Sequence, residues 1–91
     1  MIVFYSKGCE GCRGNQAISK IQALCNKEGI EFQERRTILW KVYEKEANDI
    51  GEALNVKLPF FYNTETKTAL EGNTFTPRDK LKQLVKGKNN G

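Results

Sequence analysis

The chain reads as one α/β domain: a mixed four-stranded sheet, strand order 2-1-3-4, with helices on both faces, in the element order β-α-β-α-β-β-α. Three observations predict it. Ile2-Val3-Phe4-Tyr5 is a continuous apolar run rich in β-formers, as a strand buried on both faces requires. Two stretches with apolar residues at three- and four-residue spacing, 9–27 and 43–54, alternate with short strand-like runs, and the first of them joins two strands as a right-handed parallel βαβ unit. A polar turn over 64–67 separates Phe60-Phe61-Tyr62 from Thr68-Ala69-Leu70-Glu71, the pattern of an antiparallel hairpin. The domain is expected over residues 1–86, with a polar, glycine-ended tail at 87–91.

Each element has its own local warrant. Ser6-Lys7-Gly8 is a turn after the first strand, and a helix is expected from Cys9 to about Lys27. Its buried face is Ala17, Ile18, Ile21, Leu24 and Cys25; Asn15, Gln16, Ser19, Lys20 and Gln22 lie mainly on the other side. Gly29 is placed to stop this helix. Ile30 to Arg35 alternates apolar with polar residues and reads as a half-buried second strand. The stretch 36–40 has no clear period, and Trp40 is open to either a core or a surface position. The helix over 43–54 turns Tyr43, Ala47, Ile50 and Leu54 to one side. Leu58-Pro59 opens the third strand, and Gly72-Asn73 ends the fourth. Thr76 as N-cap, Pro77 at the first position and Asp79 at N3 start a last helix, whose buried face is Leu81, Leu84 and Val85.

Composition narrows the function classes. Net charge is +4, and the 15 lysines and arginines form no stripe interleaved with aromatics, so nucleic acid is not an expected partner. No apolar run approaches the ~20 residues of a membrane span, so no membrane association is expected. Strand one begins at Ile2, which leaves no room for a targeting segment, and three cysteines are an odd number. Both point to a reducing, cytoplasmic setting. With three cysteines and no histidine, a closed four-ligand zinc site within one chain is not expected.

The chemistry is expected in Cys9-Glu10-Gly11-Cys12. Cysteines at i and i+3 on a helix are neighbours, roughly 5–6 Å apart, inside the Cα range of about 4.4–6.8 Å that a disulfide spans. A pair so placed can close and open with little backbone movement. Cys9 at a helix N-terminus would meet free N–H groups and the positive dipole end, which favour the reactive thiolate. Cys25 belongs to an apolar face and reads as a small core residue rather than a third redox partner.

The element order, the C-x-x-C between first strand and first helix, the string Phe4-Tyr5-Ser6-Lys7 ahead of it, and Pro59 opening the third strand together resemble the glutaredoxin/thioredoxin family, glutaredoxin more than thioredoxin. The resemblance spans residues 2–86 and implies the thioredoxin fold. It implies a thiol–disulfide oxidoreductase in which Cys9 attacks and Cys12 resolves, reducing protein disulfides or glutathionylated substrates. It further implies that Pro59 is cis and faces Cys9, and that the backbone of Leu58 pairs with substrate. By the same likeness Lys7 sits beside the thiolate and the glutathione carboxylate, and Gly72-Asn73-Thr74 hold glutathione's γ-glutamyl end. Glutathione is then a co-substrate rather than a tightly bound cofactor. Glutathione or a thioredoxin-type reductase recharges the dithiol, no metal is required, and a monomer is expected.

The chain departs from that pattern in places. Cys9-Glu10-Gly11-Cys12 stands where glutaredoxins commonly carry C-P-Y-C. Glu10 sets a negative charge beside the nucleophile, against which Lys7 and Arg13 act. Lys57 stands where the family often has threonine, and Gly72 alone remains of a common glycine pair. These differences bear on glutathione more than on the dithiol. The alternative reading is a soft-metal domain holding Cu(I) between the same two cysteines. Such domains run β-α-β-β-α-β and usually carry methionine just before the motif. An iron–sulfur cluster bridged between two subunits by Cys9 and glutathione is a further reading that the resemblance leaves open.

Overall fold

The computed structural model describes residues 1–7, 16–38, 40–72 and 76–86. Within them the order is β1 (Ile2–Ser6), α1 (Gln16–Glu28), β2 (Phe32–Arg36), α2 (Lys41–Leu54), β3 (Phe60–Asn63), β4 (Thr68–Glu71) and α3 (Arg78–Lys86). The four strands form one sheet ordered β2-β1-β3-β4. β1 runs parallel to β2 and antiparallel to β3, and β3 and β4 form the hairpin. This is the predicted α/β architecture, with the arrangement of a thioredoxin-like fold. A helix, α2, follows β2 where a soft-metal domain of order β-α-β-β-α-β would place a strand.

β1 is buried along its whole length because helices cover both faces of the sheet. Ile2 and Phe4 point into a core with Ile18, Ile21, Leu24 and Cys25 of α1, Phe61 of β3, and Leu81, Leu84 and Val85 of α3. Val3 and Tyr5 point the other way, onto Phe60 and onto Ala47 of α2. Two aromatic pairs cross from β1 to β3: Phe4 with Phe61 at 4.7 Å between ring centroids, and Tyr5 with Phe60 at 5.2 Å. Contacts of this kind add about 0.5–1.5 kcal/mol beyond the area they bury.

The faces are unequal. α1 and α3 share one side of the sheet, so all five expected residues of α1 and all three of α3 are buried. α2 covers the other side alone. Ala47 is its one fully buried residue; Tyr43 and Ile50 are half-buried, and Leu54 is 38% exposed. None of the helices among the described residues is long and apolar enough to cross a membrane.

Element ends follow capping chemistry. Gly29 takes φ +69°, and the N–H of Ile30 turns back to the carbonyl of Cys25 at 2.8 Å, closing α1. That bond uses Ile30 as part of the helix cap, so β2 starts at Phe32 rather than at the expected Ile30. Asn55, at φ 56°, closes α2 in the same left-handed way, with its N–H bonded to the carbonyl of Gly51. α3 begins at Arg78, one residue later than predicted, because the carbonyl of Pro77 accepts the first helical N–H groups, from Lys80 and Leu81. The edge strand β2 carries Glu34, Arg35 and Arg36, charges that discourage pairing with another sheet.

Candidate functional site

The strand registers bring four chain segments to one end of the sheet. β1 and β2 end side by side, with Ser6 opposite Arg36, and the N–H of Thr37 donates to the carbonyl of Ser6 at 2.8 Å. Tyr5 pairs with Phe60, so Pro59, the residue before Phe60, enters the sheet beside the carboxyl end of β1. Phe60 in turn pairs with Glu71, and the N–H of the next residue, Gly72, donates to the carbonyl of Pro59 at 3.0 Å. Carboxyl ends of parallel strands in α/β sheets are where ligands commonly bind.

Of the residues singled out from the sequence, Lys7, Leu58, Pro59 and Gly72 are described, and all four fall at this end. Lys7 is the exposed residue just beyond β1. Leu58 is half-buried and packs against the α2-side core, and the Leu58–Pro59 bond is cis. Gly72 is buried, and a β-carbon there would come within 2.2 Å of Cε2 of Phe61. Its glycine identity therefore has a packing cause of its own. Cys9, Cys12, Asn73 and Thr74 lie outside the described residues. So do Glu10, Gly11 and Arg13, the expected helix start at Cys9, and the tail at 87–91.

Three features of this end carry no signal in the sequence. The backbone N–H of Lys57 donates to Oε2 of Glu71 at 3.0 Å, so a β4 carboxylate braces the segment that leads into Pro59. Ser6 is 1% exposed, and its Oγ has no hydrogen-bond partner among the described residues. Its alternation with Phe4 puts it on the sheet face that α1 and α3 cover.

The third is a polar cluster on the opposite face. The Tyr5 hydroxyl donates to Oε1 of Glu46 at 2.8 Å and accepts from Nη1 of Arg35 at 3.1 Å. Arg35 also pairs with Glu46, and its guanidinium lies 5.3 Å from the ring centre of Tyr43. Burial first, then the hydrogen bond to the Glu46 carboxylate, push the Tyr5 pKa up to about 12. The cluster ties β1, β2 and α2 together behind the site.

Cys25 is 1% exposed, and burial pushes its thiol up in pKa, against the weaker pull of the N-terminal ammonium. A thiol kept protonated is a poor nucleophile, and Cys25 behaves as the core residue that its spacing predicts. No family model, curated protein or solved structure matches the chain.

Proposed function

We propose that the chain is a glutaredoxin-like thiol–disulfide oxidoreductase, using Cys9 and Cys12 to reduce protein disulfides or glutathione mixed disulfides in a reducing, cytoplasmic setting. The observation that carries this reading is the convergence of Lys7, Leu58-Pro59 and Gly72 at the end of β1. From there the chain runs directly on to Cys9-x-x-Cys12. The element order supports it against the soft-metal alternative.

In the proposed reaction the Cys9 thiolate attacks one sulfur of a substrate disulfide. A Cys9–substrate S–S bond forms, the original S–S bond breaks, and the departing sulfur takes a proton. Cys12 then attacks Sγ of Cys9 and releases the second substrate sulfur as a thiol. The substrate has gained two electrons and two protons, and the protein holds a Cys9–Cys12 disulfide. Two glutathione thiols, or a thioredoxin-type reductase, return the electrons. With a glutathionylated substrate, Cys9 alone suffices, because a second glutathione can resolve the mixed disulfide.

The test compares Cys9→Ser and Cys12→Ser in disulfide-reductase and deglutathionylation assays, with mass spectrometry of trapped adducts. Cys9→Ser is expected to abolish both activities, since a serine hydroxyl is a poor nucleophile without a base and the chain has no histidine. Cys12→Ser is expected to trap a mixed disulfide on protein substrates while keeping activity on glutathionylated ones. An active Cys9→Ser protein would overturn the assignment.

A further inference from the structure

From the end of β2 into the first turn of α2 the chain exposes three large apolar side chains in one short stretch. Ile38 is 69% exposed, Trp40 61% and Val42 59%. The other large apolar side chain exposed among the described residues, Leu54, is exposed by only 38% and lies at the far end of α2. Single exposed apolar residues are ordinary on a protein surface, but a concentration of them marks a contact surface.

This junction starts at the candidate site. Arg36 is the register partner of Ser6, and the Thr37 N–H bonds to the Ser6 carbonyl. The exposed stretch therefore leaves the sheet beside the point where β1 runs on through Lys7 toward Cys9. The charged neighbours are more positive than negative: Lys7, Lys41 and Lys45 are exposed, against Glu44 in the first turn of α2 and Asp49, which lines one groove with Lys41 and Lys45. The helix adds to the same sign. Trp40 occupies the N-cap of α2 and makes no side-chain cap hydrogen bond, so the positive end of the 14-residue helix lacks that compensation.

We propose that Ile38, Trp40 and Val42, rimmed by Lys41 and Lys45, dock an acidic, apolar segment of the disulfide-bearing protein on which the site acts. This rests on the thiol–disulfide reading above. Apolar side chains of the partner cover Trp40 and its neighbours, and its carboxylates meet the cationic rim. A second copy of the chain is a poorer occupant, because a two-fold contact brings together two patches of the same positive sign.

Trp40 is the chain's one tryptophan, so its emission reports on the surface directly. The probe is a disulfide-closed peptide rich in Phe, Leu and Glu, compared with the same peptide carrying Lys for Glu. The Glu peptide is expected to shift Trp40 emission to shorter wavelength, saturably and less strongly at high salt. The Lys peptide is expected to bind about tenfold more weakly or not at all. Ile38→Ser with Val42→Ser keeps the reporter and is expected to weaken Glu-peptide binding about tenfold. Lys41→Glu is expected to shift preference toward the Lys peptide.

Single-turnover reduction by the pre-reduced full chain separates the two levels of argument. The Ile38→Ser/Val42→Ser protein is expected to reduce the Glu peptide about tenfold more slowly, by its lost affinity. It should reduce bis(2-hydroxyethyl) disulfide, too small to span the junction, at the wild-type rate. Wild-type protein that reduces neither disulfide overturns the thiol–disulfide reading and the docking with it. Equal peptide rates for variant and wild type overturn the docking alone. So does a Trp40 shift with phosphatidylserine vesicles but not with peptide, or a wild-type dimer in sedimentation that the double variant dissolves.

Discussion

Gly72 lies so close to the ring of Phe61 that a β-carbon on it would stand 2.2 Å from Cε2 and 2.6 Å from Cδ2. Phe61 is wholly buried and its ring packs at a tilt against Phe4, so the ring cannot move aside without opening the core. Gly72→Ala should therefore cost about 1–3 kcal/mol, the usual range for overpacking. Phe61→Leu in the same chain should recover part of that loss. Urea unfolding of the two single variants and the double variant measures the coupling, and purely additive effects would refute the contact as its cause.

The Tyr5 hydroxyl gives an alkaline signature. Its pKa is raised from 10.0 to about 12 in the folded chain. The folded state therefore holds this proton more tightly than the unfolded state. The resulting stability is fully present below pH ~10 and falls as pH rises toward ~12, by about 2–3 kcal/mol in all. Tyr5→Phe should be about 1 kcal/mol less stable than wild type at pH 7, through the lost hydrogen bond. That gap should close and then reverse in sign between pH 10 and 12. Comparing the two proteins by denaturant unfolding at each pH cancels the titration of lysines common to both. A constant gap would be the contrary result.

Asn63 holds the hairpin to the last helix. Its Nδ2 donates to the Leu84 carbonyl at 2.8 Å, and its Oδ1 accepts from the N–H groups of Glu65 at 2.9 Å and Thr66 at 3.3 Å. Asn63→Ala leaves these partners without it in a position that is 4% exposed, at a cost of about 2–3 kcal/mol. Amide hydrogen exchange should quicken at Glu65 and Thr66. Unchanged exchange there would show that the side chain does not shape the turn.

Cys25→Ser separates the core cysteine from the redox pair. The substitution puts a hydroxyl among Ile2, Phe4, Ile21 and Leu81 of the same core, at a cost of about 1–3 kcal/mol. Disulfide-reductase and deglutathionylation rates at a temperature where the variant stays folded should match wild type. A loss of rate without a loss of structure would give Cys25 a part in the chemistry.

Local pattern determined the element order, the buried faces of α1 and α3, and the hairpin, because each is written in short-range spacing that records which side of an element meets the core. The same reasoning reads Cys25 as core, whereas Lys7, Pro59 and Gly72 are singled out by the family resemblance alone. Long-range placement decided the rest. The strand register sets Ser6 between Arg36 and Pro59 and thereby gathers Lys7, Pro59 and Gly72 at one end of the sheet. The pairing of Tyr5 with Glu46, and of Glu71 with the Lys57 amide, joins residues far apart in the chain through hydrogen bonds that no periodicity encodes. The stretch 36–40 had no readable period, and its described large apolar side chains, Ile38 and Trp40, lie on the surface rather than on a core face. Trp40 was equally at home inside or out by its chemistry. It is exposed because the sheet face beyond β2 is covered by one helix alone, which starts only at Lys41.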